Sequence, residues 1–161
     1  MSWNSGGVIS MVLPTPGANS LEQVVMEKSS RVGCSEFAKA QSPKDAIAKR
    51  TISLVNSYFD GKSVDFSPID LNWYGLSDFS RAVLGTLRNL PSRETITYGD
   101  LASFAGYPGA SRATGTALSN NPFPVIVPCH RVIKSNGGLG EFSAGGGAKT
   151  KLRLLKLEGS I

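Results

Sequence analysis

Residues 121–133 read Asn121-Pro122-Phe123-Pro124-Val125-Ile126-Val127-Pro128-Cys129-His130-Arg131-Val132-Ile133. Three prolines within seven residues fix φ and forbid a helix. The stretch is therefore expected to be rigid and extended, anchored by the apolar triplet 125–127. A cysteine held directly behind it has little conformational freedom. Cysteine alone is most often a small buried hydrophobe. Beside the chain's single histidine, in a basic half of the chain, it is also a candidate nucleophile. A free thiol, with a pKa near about 8.5, is only a few per cent ionised at neutrality and needs help to form the thiolate. His130 could take the proton. Neighbouring side chains on extended backbone point to opposite faces, so a turn or a bridging water is expected between the two.

Upstream, Ser77 starts a helix whose apolar stripe is Phe79, Val83, Leu87 and Leu90, and Pro91 ends it. Thr97-Tyr98-Gly99-Asp100 fits a capping box, with Thr97 accepting from the third helical N–H and Asp100 reaching back. The short helix it opens carries Leu101, Phe104 and Ala105, then meets Gly106-Tyr107-Pro108-Gly109. A second short helix follows over 110–118. Two short helices around a glycine-containing turn make a helix-turn-helix candidate, a pairing also common in ordinary helical cores. Between 110 and 117 every residue except Arg112 is small. Such a helix buries little apolar area but lets its backbone approach a partner closely, with one long cation projecting. Tight packing against a neighbouring element is the other reading.

The chain has 161 residues, 40% of them hydrophobic and 18% charged, enough for one domain or two small ones with a core. Its apolar runs fall far short of the roughly 20 residues that cross a bilayer, and its start lacks the pattern of a secretory signal. Two cysteines, Cys34 and Cys129, and one histidine leave no disulfide scaffold and too few ligands for a usual zinc site. A soluble intracellular protein without structural metal is expected. Of 17 Lys/Arg and 12 Asp/Glu, seven of each lie in 1–75, which leaves ten and five in 76–161. The whole formal charge of +5 thus sits in the second half. An anionic partner such as nucleic acid would explain it, as would a solvated surface modestly rich in Lys and Arg.

The N-terminal part is less regular. Residues 8–13 read as a strand stopped by Pro14-Thr15-Pro16-Gly17, and 24–26 as a weaker one. Ser42-Pro43 starts a helix with Ile47, Thr51, Leu54, Val55, Tyr58 and Phe59 at helical spacing, closed by Gly61. Residues 64–71, broken by Pro68, read as an edge strand or an extended linker. At the other end, the glycine-rich 137–147 lacks a phosphate-loop ending and is either a pocket wall or a flexible surface loop. The last helix, 149–158, is expected to turn Leu152, Leu154 and Leu155 inward and Lys149, Lys151, Arg153 and Lys156 outward. Glu158 at its C-terminal end opposes the helix dipole, so it needs a partner if buried. It either orients His130 or stands exposed and idle.

The 121–133 run resembles the active-site signature of the O6-alkylguanine-DNA alkyltransferases. Thr97-Tyr98-Gly99-Asp100-Leu101-Ala102, with Arg112-Ala113 and Gly115, resembles that family's DNA-binding helix pair. Phe142-Ser143 and Leu154-Leu155 through Glu158-Gly159 continue the likeness, which covers about 77–161. Tyr58-Phe59-Asp60-Gly61 and Pro68-Ile69-Asp70-Leu71 match loosely, and 1–45 hardly at all. The resemblance implies an α/β (α+β) chain. A small ribonuclease-H-like domain over 1–75 would precede a mainly α domain with a helix-turn-helix over 76–161. It implies irreversible, single-turnover transfer of a methyl or other alkyl group from O6 of guanine, and also O4 of thymine, to Cys129. His130 would act through a water and Glu158 would orient it, while Asn121 would brace the turn beneath the helices. Tyr98 would help rotate the nucleotide out and donate to the base. The backbone of Cys129 and Val132 would accept from the guanine amine, the Ser143 N–H would donate to O6, and Phe142 would wall the pocket. Arg112 would fill the stack, with Thr97, Ala113 and Gly115 on the DNA-binding surface. The partner would be double-stranded DNA, met in the minor groove by a monomer in the cytoplasm, or in the nucleus of a eukaryote. A stable thioether product removes any need for a cofactor or metal.

The chain departs from the family pattern in three ways. Phe142 stands where many members have Tyr, which removes a hydroxyl from the pocket wall. Gly145-Gly146-Gly147 lengthens the loop, and Ser80 and Leu84 replace the common Gln and Trp. Two rival readings remain. A cysteine hydrolase would turn over many times. A non-catalytic alkyltransferase-like protein would bind the lesion only, and the presence of Cys129 argues against it.

Overall fold

A computed structural model describes residues 1–13 and 46–161. The expected stop at Pro14, the strand at 24–26 and the helix start at Ser42-Pro43 lie outside the described residues, as does Cys34. The chain is a mixture of helices and short strands around one apolar core.

Strands β1 (Ser2–Asn4) and β2 (Gly7–Ser10) form an antiparallel hairpin. The sequence signalled only the second, because three residues of polar and aromatic type make no readable alternation. Val8 adds a parallel bridge to Leu71, its N–H donating to Asp70 O and its carbonyl accepting from Asn72 N–H, both at 2.8 Å. The 64–71 segment therefore joins the hairpin only at its end. Gly7, at φ +120°, lies where a Cβ would collide with the Asp70 carbonyl, so this approach requires glycine. Helix α1 (Ala46–Phe59) buries Ala48, Thr51 and Tyr58, and leaves Phe59 exposed although its spacing placed it on the apolar stripe.

Helix α2 (Asp78–Arg88) begins at the expected N-cap, where Ser77 Oγ accepts from Ser80 N–H at 3.2 Å. It buries Val83, Leu84 and Leu87. At its end, Arg88 donates to the carbonyls of Ile69 (2.5 Å), Ser67 (3.1 Å) and Phe66 (3.4 Å), clamping the preceding loop. Strand β3 (Ile96–Thr97) leads directly into α3 (Tyr98–Phe104). Thr97 caps that helix, its Oγ accepting from Asp100 N–H at 3.1 Å. The reciprocal arm differs from the expected box, because the Asp100 carboxylate accepts from the Thr97 hydroxyl at 2.6 Å. Asp is one methylene shorter than the Glu of a full capping box. Leu101 and Ala102 are buried, while Phe104 stands largely exposed.

Helix α4 (Ser111–Ser119) packs on α2 and α3. Tight packing, one of the two readings of its small residues, accounts for one face of the helix only. Thr114, Ala117 and Leu118 enter the core, while Arg112, Ala113, Thr116 and Ser119 face outward.

The proline-rich run is not extended. Phe123 O accepts from Val127 N–H at 2.8 Å, closing a turn around Val125, whose φ is +76°. That conformation is costly for a β-branched residue, so the surroundings must enforce it. Burial of 121–130 does so, and so does Asn121, whose Oδ1 accepts from Phe123 N–H (2.9 Å) while its Nδ2 donates to Val127 O (3.0 Å). Prolines exclude a helix but permit a turn as readily as a strand. Met11 N–H donates to Pro122 O at 2.8 Å and the Trp73 ring meets Phe123 edge-on, so the N-terminal residues brace this turn. A single 3-10 turn (Cys129–Arg131) follows, then β4 (Val132–Ile133), paired in parallel with β3. That ladder sets the start of α3 beside Cys129.

Helix α5 (Gly147–Glu158) begins two residues before the expected position and ends at Gly159 in the left-handed region. Ser160 N–H returns to Leu155 O at 2.9 Å, a C-terminal cap that fixes the direction of Glu158. Leu154 and Leu155 are buried and Leu152 partly so. Lys149, Arg153 and Lys156 face water as expected, but Lys151 is fully buried. Among the described residues no helix is long and apolar enough to cross a membrane.

Candidate active site

A cleft of about 850 Å³ opens between the start of α3, the outward side of α4 and the loop before α5. Cys129, Thr97, Tyr98, Arg112, Gly115, Phe142 and Ser143 line it. Residues far apart in the chain are thus gathered on one cavity, with Cys129 at its buried wall, 7% exposed. Tyr98 lies against α4 at Gly115, where a Cβ would meet its ring at an ordinary contact distance of 3.9 Å. Burial raises the Tyr98 phenol pKa, and the negative charges of Cys129 and Glu141 raise it further. Tyr98 is therefore a hydroxyl donor throughout the neutral range. Ser143 Oγ donates to Ser119 O at 2.9 Å, tying the pocket loop to the end of α4.

Behind the cysteine lies a charged cluster with no exposure at its centre. His130 is fully buried, and its Nε2 lies 2.8 Å from Glu158 Oε1. Nδ1 is buried and has no hydrogen-bond partner among the described residues, which leaves that nitrogen free to act on a proton. The carboxylate fixes the tautomer: a hydrogen on Nε2 implies a lone pair on Nδ1. Arg131 completes the pairing, with Nε 2.8 Å from Oε2 and Nη2 3.0 Å from Oε1. Burial pushes the Glu158 pKa up, but hydrogen bonds and charge from His130 and Arg131 more than offset it and hold the carboxyl at about 2. For His130 burial dominates: its pKa falls below the usual histidine value although Glu158 pulls the other way. The imidazole is neutral at pH 7, as a base must be. Glu158 is engaged, and the idle, exposed alternative is excluded.

Two participants gave no readable sign in the sequence. Lys151 extends its ammonium under the pocket floor, donating to Val132 O at 2.6 Å and lying 5.9 Å from the centre of the Tyr98 ring. Burial lowers its pKa to about 8, with the Cys129 charge acting in the opposite direction. It competes for the Val132 carbonyl expected to meet the guanine amine, although a carbonyl has two lone pairs and can accept from both. Tyr58, from α1, donates to Glu158 Oε1 at 2.8 Å. Asn121 and Val132 sit behind the cleft as supports, and Ala113 is on the outward face of α4. Among the described residues no group of three potential ligands could hold a metal ion.

Residues 78–160 match the model of the 6-O-methylguanine DNA methyltransferase DNA-binding domain. The chain belongs to this family. It is 39% identical over 127 residues to a methylated-DNA–protein-cysteine methyltransferase of Methanothermobacter thermautotrophicus, a match spanning 79% of this chain and 69% of the relative. A Mycobacterium leprae protein of the same name is 41% identical over 116 residues, covering 72% and 68%. Among solved structures, Mycobacterium tuberculosis OGT in complex with DNA superposes with a TM-score of 0.64 at 40% identity, over 70% of this chain and 67% of that one. The O6-methylguanine-DNA methyltransferase of Pyrococcus kodakaraensis extends over 97% of this chain and 88% of its own, with a TM-score of 0.72 at 26% identity.

Proposed function

We propose that this family member repairs DNA by moving an alkyl group from O6 of guanine, and also from O4 of thymine, onto Cys129. The observation that carries the reading is the placement of Cys129 on the cleft wall beside a buried, neutral His130 held by Glu158. His130 Nδ1, acting through a water, takes the thiol proton. The thiolate attacks the alkyl carbon, a carbon–sulfur bond forms and the carbon–oxygen bond breaks. The electron pair stays with the base, which regains one proton as normal guanine. Pocket donors, the Tyr98 hydroxyl and the Ser143 N–H, offset the charge that develops there. The backbone carbonyls of Cys129 and Val132 accept from the guanine amine, and Phe142 walls the pocket. A thioether has no easy hydrolytic exit, so each chain acts once and needs no cofactor.

An O6 atom inside a duplex is unreachable, so the nucleotide must leave the stack, at a cost of about a few kcal/mol. Helices α3 and α4 serve as a helix-turn-helix in the minor groove, where the small outward residues Ala113, Gly115 and Thr116 permit close approach. Arg112 fills the space of the departed base, and Thr97 positions α3. Residues 76–161 form the DNA-binding and transfer unit. Residues 1–75 form the smaller α/β unit, on the ribonuclease-H-like plan. The protein works as a monomer in the cytoplasm, or in the nucleus of a eukaryote. Intact-mass measurement after incubation with a duplex carrying O6-methylguanine tests this. One methyl gained per chain and mapped to Cys129 is expected, with Cys129→Ala keeping DNA affinity and gaining none. A methyl at another residue, or none on the wild type, overturns the proposal.

A further inference from the structure

Tyr58 lies at the end of α1, 5% exposed, with its ring edge-on to Phe59 at 5.3 Å and tilted on Phe66 at 5.9 Å. Phenylalanine would fill the same space. The hydroxyl is therefore the part that needs a reason, since burying it costs free energy unless it is bonded. It donates to Glu158 Oε1 at 2.8 Å, the oxygen that also bonds His130 Nε2, and it lies 3.5 Å from that nitrogen.

We propose that Tyr58 is a positioning residue for transfer, its hydroxyl holding Glu158 Oε1 against His130 so that the N-terminal half supplies a member of the reacting cluster. This rests on the roles given above to His130 and Glu158.

Arg131 engages both carboxylate oxygens and fixes the plane of the group. Arg131 lies next to His130 on the same 3-10 turn, so this grip ties Glu158 to that turn and to no other element. Tyr58 arrives from a different element and supplies the independent reference point. Burial and the Glu158 charge both keep the phenol protonated, so it donates at every pH at which the protein is folded. Each donor on Oε1 also draws off negative charge. Removing the Tyr58 hydroxyl leaves more of that charge facing the imidazole, which then holds a proton more tightly. The other charged groups acting on His130 are Arg131 beside it and Lys151 on α5, both of which oppose protonation.

Because His130 is the only histidine, two-bond proton–nitrogen correlation spectra of the full chain report its tautomer and titration without ambiguity. The wild type is expected to show hydrogen on Nε2 at neutral pH. In Tyr58→Phe the imidazole pKa should rise by roughly half a unit or more. The acid limb of the single-turnover methyl-transfer profile should move upward with it. An unchanged titration in a variant whose thermal melt shows it folded overturns the inference. A measurement independent of any variant is the wild-type phenolic proton of Tyr58. It should exchange slowly and show a through-space contact to the His130 ring, and its absence counts against the tether. Failure of the functional reading is separable, because it appears as wild-type protein that gains no methyl on Cys129.

Discussion

Glu158→Gln tests the buried cluster most directly. The carboxyl pKa drops from an ordinary 4.5 to about 2 on folding, because the hydrogen bonds and charges of His130 and Arg131 outweigh the burial that opposes them. At about 1.4 kcal/mol per unit this difference stabilises the fold by about 3 kcal/mol. Breaking a buried ion pair from one side costs roughly 3–5 kcal/mol, so two independent arguments reach the same scale. The sign follows from proton binding. The unfolded carboxyl takes up a proton near pH 4.5 and the folded one only near 2, so the stabilisation is complete above 4.5 and disappears as pH falls toward 2. Urea unfolding of wild type and Glu158→Gln at pH 7, 5, 4 and 3 measures it. The expected gap is about 3 kcal/mol at pH 7 and closes only below 4.5. His130, with a pKa depressed by burial, adds a separate loss of stability that begins as pH falls through the ordinary histidine range, in wild type and variant alike. A gap that did not change with pH would mean that Glu158 acts through packing, and no gap would refute the charge argument altogether.

Three further outcomes are expected. Arg112→Ala should slow methyl transfer from duplex roughly ten-fold while transfer from free O6-benzylguanine falls much less, because the lost side chain offsets only the cost of emptying the stack; equal losses on both substrates would count against that role. Gly140→Ala should slow bulky alkyl substrates more than methyl, since its φ of +70° suits glycine and a Cβ would sit 2.9 Å from the Tyr98 hydroxyl; competition between benzyl and methyl substrates measures the ratio. Lys151→Met should lower the single-turnover transfer rate about ten-fold or more by removing a buried cation that couples to the Cys129 charge, and an unchanged rate would show that the lysine only supports Val132.

Local chemistry made part of the fold legible. Ser77 and Thr97 cap helices because their hydroxyls reach the N–H three residues on, an effect contained within four residues of sequence. The proline run is the instructive failure. Proline fixes its own φ and excludes helix, but the choice between strand and turn was made elsewhere. Asn121 clasps both sides of the bend and Met11, more than a hundred positions away, ties it down. The left-handed Val125 is paid for by those contacts, which no window of sequence contains.

The site divides in the same way. Cys129, His130 and Glu158 were readable because nucleophile, base and carboxylate are residue types with few other uses together. Lys151 was not, because helical spacing scores a lysine as solvated and says nothing of what a long side chain can reach. Its four methylenes run inside the core while the ammonium finds Val132 O. Tyr58 was hidden for the opposite reason, since a tyrosine in an apolar stripe already has a sufficient explanation in packing. Both became visible only through distances to groups 19 and 100 residues away. A buried carboxylate at a helix C-terminus did carry a warning, because it opposes the helix dipole and must be compensated. Counting the donors that Glu158 needs would have pointed to a missing partner, and the hydroxyl of Tyr58 is the one that comes from outside the 76–161 half.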